Sequence, residues 1–95
     1  MPKDVDDKFY ERADAHIHLS NEQIADVGRG NASASMMYAT ARFNAWVSAC
    51  RFSTTDEMAA ARQEEIEYFV DQYRGMLEEH FEDYVKNFSK YMTVE

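Results

Sequence analysis

The chain has 95 residues, of which 45% are hydrophobic and 14% aromatic, a composition that suits one small packed domain and argues against disorder. Its formal net charge of -8, from 18 acidic and 10 basic residues, argues against nucleic acid or an anionic membrane as a partner, because both require basic patches. The single cysteine, Cys50, cannot form an internal disulfide, and no apolar run reaches membrane-spanning length, so we expect an acidic cytoplasmic protein.

The residue types favour helices over strands. Valine, isoleucine and threonine are scarce, whereas alanine, glutamate and methionine are plentiful, and three glycines and one proline leave few sites for turns. We therefore predict an all-α fold in a single domain over residues 1–95. The predicted helices cover residues 5–27, 33–52 and 55–91 and form a three-helix up-down-up bundle with an extra-long C-terminal helix.

The first predicted helix has one apolar side. Six positions recur at helical spacing, and all except Ser20 are apolar; they are Phe9, Ala13, Ile17, Ser20, Ile24 and Val27. Gly28 follows and can adopt the positive φ that ends many helices. Residues 28–31, Gly-Arg-Gly-Asn, are the strongest turn signal in the chain and predict an antiparallel second helix.

The second predicted helix, 33–52, is apolar on two opposite sides. Only Arg42 and Arg51 carry charge between residues 31 and 52. One side carries Met36, Ala39, Phe43, Trp46, Val47 and Cys50, and the other carries Tyr38, Ala41, Ala45, Ala49 and Phe52. Such a pattern is typical of a buried helix with neighbours on both flanks.

The third predicted helix is longer than the other two. Thr54 and Glu57 form a capping-box pattern at its start, and one apolar stripe then keeps its phase as far as Tyr91. A helix over 55–91 would measure about 55 Å, compared with about 30–35 Å for each of the first two. Gly75 lies on the opposite side from the stripe and leaves a bend there as an alternative.

The part of this helix beyond Leu77 would have no partner within its own chain. It nevertheless carries a strip of apolar side chains, of which Phe81, Tyr84, Val85, Phe88 and Tyr91 form the predicted dimer interface. A soluble monomer rarely exposes a strip of this size, so a two-fold homodimer is the preferred solution. A chain that folds back near Gly75 is the other solution.

Known catalytic and metal-binding motifs are missing from the sequence. It contains no glycine-rich phosphate loop, paired-cysteine motif or Gly-x-Ser-x-Gly elbow. His16 and His18 stand two residues apart and would point in different directions on a helix, so they cannot share a metal ion there. We predict no metal and no cofactor.

A polar layer could nevertheless form inside the predicted bundle. Counting residues back from each turn brings His16, Arg42, Arg62 and Glu65 to about one level. The preferred interpretation is structural, since a polar layer can fix the register of packed helices. The alternative is a site at which Arg42 and Arg62 bind a small carboxylate or phosphate.

Four segments carry a resemblance to a known family. They are Tyr38-Ala39-Thr40-Ala41-Arg42-Phe43-Asn44-Ala45, Ile66-Glu67-Tyr68-Phe69, Gln72-Tyr73-Arg74-x-Met76-Leu77 and Asn87-Phe88-x-x-Tyr91. Together the chain resembles a family of short proteins, found mainly in proteobacteria, that is defined only as a domain of unknown function. The resemblance implies a bacterial cytoplasmic protein and assigns no activity or functional residue.

The leading functional hypothesis is a non-enzymatic protein-interaction module that acts as a homodimer and binds another protein. It depends on the apolar strip and on the lack of catalytic motifs. The competing hypothesis is a protein that binds a small anion or metabolite, or a minor enzyme, built around His16 and Arg42.

Overall fold

The structure is a computed structural model that describes residues 5–92, and these residues contain four helices and no strand. Helix α1 spans Phe9–Ala49, α2 Thr55–Ala60, α3 Arg62–Lys86 and α4 Phe88–Tyr91. The all-α prediction is confirmed, but two long and two short helices replace the three that were predicted. The up-down-up packing stays a prediction.

The described residues form two compact units, 5–53 and 54–92. The first unit contains α1, and the second contains α2, α3 and α4. The prediction of one domain over 1–95 stays a prediction, and residues 1–4 and 93–95 of that range lie outside the described part of the chain.

Helix α1 begins at Phe9, four residues later than predicted, because Asp6 organises a turn before it. The Asp6 carboxylate accepts a hydrogen bond from the backbone N–H of Lys8 at 3.0 Å, and its backbone carbonyl accepts one from Phe9 at 3.1 Å. Short acidic side chains often compete with the helix in this way. The helix therefore starts after this turn.

Gly28 interrupts α1, as its position in the sequence predicts. Its φ of 83° and ψ of 163° are non-helical, and it is the positive-φ glycine among residues 5–92. The amide side chain of Asn31 donates a hydrogen bond to the carbonyl oxygen of Val27 at 2.9 Å. This bond supplies a partner for a carbonyl next to the interruption. The helix then resumes directly and not at Ser33, so the expected turn is reduced to a kink at one residue.

The unit 5–53 has few buried side chains. Ala32 and Ser48 are 2% and 3% exposed, and they are the buried residues of α1. Trp46, at the centre of the predicted buried helix, is 61% exposed. The prediction that residues 33–52 form a buried helix is therefore wrong for this chain by itself, because an apolar pattern does not determine which molecule covers it.

The second unit begins at the predicted helix cap. Thr54 has an extended backbone, and its hydroxyl oxygen accepts a hydrogen bond from the backbone N–H of Glu57 at 3.1 Å. Asp56 and Glu57 place negative charge in the first turn of α2, where the helix dipole favours it. The Thr54 cap that the sequence predicts is thus confirmed.

Helix α3 runs without interruption through Gly75. The interruptions lie at Ala61 and Asn87, so the predicted helix over 55–91 is divided into three. At Ala61 the backbone N–H is shared between the carbonyls of Glu57 and Met58, which tightens the last turn of α2. The Asn87 side chain donates hydrogen bonds to the backbone carbonyl and the carboxylate of Asp83, one turn earlier, and the backbone at Asn87 leaves the helical conformation with φ −114° and ψ 29°.

Candidate interaction surface

Helix α3 carries a stripe of mostly apolar side chains that we call the α3 seam. Its six positions are separated by four, three, four, three and four residues, a spacing that places them on one side of a helix. The α3 seam consists of Ile66, Val70, Tyr73, Leu77, His80 and Tyr84. Since α3 rises about 1.5 Å per residue, the seam extends about 27 Å along the helix.

Most of the α3 seam is uncovered in the structure. No residue of α3 is buried, and Ile66, Val70, Tyr73 and Leu77 are all exposed large hydrophobic side chains. Phe81, which lies beside the seam, is 67% exposed, and Tyr84 is 50% exposed. An exposed apolar row of this length commonly marks an interaction surface.

The predicted dimer-interface residues all remain exposed. Phe81, Tyr84 and Val85 lie in the last part of α3, and Phe88 and Tyr91 belong to α4. The Tyr84 and Tyr91 rings pack against each other with 4.9 Å between their centroids. The structure thus brings the two aromatic side chains together across the interruption at Asn87, whereas their role in a dimer stays a prediction.

A polar cluster around Asp83 holds this C-terminal junction. The Asp83 carboxylate accepts one hydrogen bond from the Asn87 amide at 2.8 Å and another from the Tyr91 hydroxyl at 3.0 Å. The hydrogen bond to Asp83, together with the negative charge of that carboxylate, raises the pKa of the Tyr91 phenol. Sequence analysis missed this cluster, although the spacing of four residues between Asp83 and Asn87 was a signal for it.

A second polar contact that the sequence did not reveal lies before α1. The two terminal guanidinium nitrogens of Arg12 donate hydrogen bonds to the Asp6 carboxylate, at 2.9 and 2.7 Å. These hydrogen bonds and the one from the Lys8 backbone hold the pKa of Asp6 well below its usual range. The six-residue separation matches no simple helical spacing, because Asp6 precedes the helix that carries Arg12.

The four predicted ligand residues are mostly on the surface. His16 lies before the Gly28 kink of α1 and Arg42 after it, and both are exposed. In the first turn of α3, Arg62 is exposed and Glu65 half-buried, three residues apart on neighbouring positions of the helix. A ligand site formed by these residues stays a prediction.

Between residues 5 and 92, no three histidine, cysteine, aspartate or glutamate side chains are grouped so that they could hold a metal ion. Over the same range, none of the helices combines the length and apolarity needed to cross a bilayer.

The fold therefore defines a small all-α protein with an uncovered apolar helix. A family model described as "Protein of unknown function (DUF3144)" matches residues 9–85, and the chain belongs to this family. The chain is similar to the protein NB7890A from Shewanella sp., known from an NMR structure, with 38% sequence identity and a TM-score of 0.79. This similarity covers 98% of the present chain and 99% of NB7890A. Among curated proteins, none matches the chain significantly.

These comparisons confirm the resemblance to a family of unknown function. The matched residues include three of the four segments that carry the resemblance and all of the α3 seam. The family description assigns no chemistry, so a function has to be argued from the surface itself.

Proposed function

We propose that the protein is a non-enzymatic protein-interaction module that acts as a homodimer and binds another protein. The observation that carries this proposal is the uncovered α3 seam with the aromatic side chains that follow it. Ala32 is the buried hydrophobic residue among residues 5–92, whereas large apolar side chains are exposed throughout both units. A chain of 95 residues needs more apolar burial than this, and association with a second copy can supply it.

The charge distribution of the chain favours a protein partner over a polyanion. The net charge of -8 opposes binding to nucleic acid or to an anionic membrane. Aromatic side chains with a polar end, such as Tyr84 and Tyr91, are common in protein interfaces because they bury a ring and keep a hydrogen-bonding group.

The homodimer is tested by sedimentation equilibrium of the wild-type protein and two matched variants at micromolar concentration. Tyr73→Ser removes an aromatic ring from the α3 seam, and Tyr68→Ser removes one from the opposite side of the same helix. Tyr73 and Tyr68 are similarly exposed, at 49% and 59%, so the two changes differ mainly in their position. Burial of a ring is worth about 1.5 kcal/mol per copy, so Tyr73→Ser should weaken dimerisation about a hundredfold.

Tyr68→Ser should leave dimerisation close to the wild-type value. A wild-type protein that sediments as a monomer at these concentrations would contradict the homodimer. Equal effects of the two variants would contradict the assignment of the interface to the α3 seam.

Binding of another protein is tested separately, by affinity capture from an extract of the native cells. The bait is the wild-type protein, and the control bait is the Phe81→Ser/Tyr84→Ser double variant with the same helical circular dichroism. A protein captured in stoichiometric amount by the wild type and lost with the double variant supports the proposal. Capture of the same proteins by both baits contradicts it.

A further inference from the structure

The α3 seam has the spacing of a coiled coil. Val70, Leu77 and Tyr84 occupy the a positions of successive heptads, and Ile66, Tyr73 and His80 occupy the d positions. One phase is kept over nearly three heptads, and charged residues at the flanking positions accompany it, as in helices that pair through such a seam.

The charges of α3 are sorted around this seam. The outer positions b, c and f carry six acidic residues and one basic residue, Lys86; the six are Glu64, Glu65, Asp71, Glu78, Glu79 and Glu82. The flanking positions e and g carry two acidic and two basic residues: Arg62, Glu67, Arg74 and Asp83. A second α3 helix can thus approach the seam without facing the excess negative charge.

The flanking charges distinguish the two directions in which a second copy could pair. In a parallel pair each g position faces the e position five residues later, so Arg62 would face Glu67 of the second copy. Arg74 and Asp83 would then face Phe69 and Phe88, respectively, and would have no partner of opposite charge.

An antiparallel pair places e positions against e positions and g positions against g positions. With the two-fold axis between residues 71 and 72, Glu67 faces Arg74 of the second copy and Arg62 faces Asp83 of the second copy. All four flanking charges then meet an opposite charge, each pair occurring twice. When the axis is moved by half a heptad to Gly75, Arg74 faces Arg74 of the second copy, and the two like charges repel each other.

We infer that α3 pairs with α3 of a second copy in an antiparallel arrangement, with the two-fold axis between residues 71 and 72. This inference rests on the proposed homodimer and specifies its direction and register. Val70 then packs on Tyr73 of the second copy, and Ile66 packs on Leu77 of the second copy. The paired stretch runs from Arg62 to Asp83, about 32 Å of helix.

The same register also provides a partner for the polar member of the α3 seam. His80 at a d position faces Gln63 at an a position of the second copy, so an imidazole and an amide meet in one layer. In the parallel arrangement His80 would face His80 of the second copy. That layer would hold two identical polar groups and would lack the complementary amide.

The first test uses charge reversals and measures the dimer dissociation constant by sedimentation. Glu67→Arg should raise it about tenfold, because two attractive contacts per dimer become repulsive. Adding Arg74→Glu should restore it if the pair is antiparallel, and adding Arg62→Glu should restore it if the pair is parallel. Glu78→Arg, a reversal at an outer position, is the control and should not weaken the dimer.

The second test uses disulfide cross-linking of Ile66→Cys and Leu77→Cys variants, each carrying Cys50→Ser. In the inferred register the two residues meet across the interface, whereas identical residues are about 16 Å apart along the helix. A disulfide requires Cα atoms within about 7 Å. Oxidation of the mixed variants should therefore produce a cross-linked heterodimer, and oxidation of each variant alone should leave uncross-linked chains.

The outcomes separate the two proposals. Cross-linking of each single variant with itself, or rescue by Arg62→Glu alone, would overturn the antiparallel register and leave the homodimer intact. A dimer that is insensitive to Glu67→Arg would also overturn the register. A wild-type protein that is monomeric in every measurement would overturn both the register and the homodimer.

Discussion

Replacement of Gly28 by alanine tests whether the kink in α1 is a fixed feature of the fold. The backbone of Gly28 has φ 83° and ψ 163°, a region that is essentially restricted to glycine. An added methyl group would meet no atom within 4 Å, so the cost comes from the backbone conformation and not from a clash. We expect Gly28→Ala to lower the free energy of unfolding by about 2 kcal/mol.

The matched control is Gly75→Ala, in the middle of α3. An added methyl group at Gly75 also meets no atom within 4 Å, and the residue lies inside a helix, where alanine is preferred by about 1 kcal/mol. For a domain of this size, 1 kcal/mol corresponds to a shift in melting temperature of about 4–8 °C. Thermal unfolding followed by circular dichroism at one fixed protein concentration should therefore show shifts of opposite sign.

One result would refute this reasoning. If Gly28→Ala raises the melting temperature as much as Gly75→Ala and also increases the helical signal, residue 28 has relaxed into the helix. The kink would then be a consequence of the glycine's weak helix propensity, and the rest of the unit would not require it.

Three further predictions concern the capping and polar contacts. Thr54→Ala should lower the free energy of unfolding by about 1 kcal/mol, measured by urea denaturation. Thr54→Ser should retain most of the stability that the cap contributes, because the serine hydroxyl can accept the same hydrogen bond. Arg12→Ala should raise the pKa of Asp6 toward its ordinary value of about 4, measured by NMR titration of the carboxyl carbon; an unchanged titration would contradict the contact. Because the folded pKa of Asp6 is depressed, this contact stabilises the protein fully above pH of about 4, and its contribution is lost as the pH falls toward the depressed pKa. Asp83→Asn should lower the pKa of the Tyr91 phenol toward about 10, and a titration of the Tyr91 ring resonances that does not move would show that the hydrogen bond is not formed in solution.

The sequence predicts the local features of the fold well, because they depend on a few neighbouring residues. The Thr54 cap depends on one hydroxyl and one backbone N–H three residues later, and the interruption at Gly28 depends on one residue without a Cβ. The stripe of α3 follows from helical periodicity alone. Each of these signals is confirmed at the position where the sequence places it.

The interruptions at Ala61 and Asn87 could not be predicted in the same way. Alanine has the highest helix propensity, so the residue type at Ala61 predicts a continuous helix. The interruption there depends on a backbone N–H that two carbonyls share, which residue type does not specify. At Asn87 the decisive contacts involve both Asp83 and Tyr91, so three residues over two turns act together. Pairs of residues at helical spacing are easier to predict from a sequence than clusters of three residues such as this one.

The candidate surface shows the same limit in another form. Periodicity identified Tyr84 and Trp46 as members of apolar faces, but it could not determine whether this chain or a second one covers them. The predicted polar layer depended on counting residues across three packed helices, and that packing is the part of the prediction that the fold does not confirm. Local features such as caps and helix periodicity can therefore be predicted from this sequence, whereas the covering of its apolar faces has to be measured.

The scarcity of buried residues in 5–92, with Ala32 and Ser48 as the buried positions, has a consequence for how the protein would behave in the cell. If the chain buries its apolar side chains only by dimerising, the fraction of folded protein depends on the protein concentration. A tenfold rise in concentration favours such an assembly by about 1.4 kcal/mol, which is comparable to a well-formed helix cap. Expression level would then regulate how much of this protein is folded, in addition to how much of it is made.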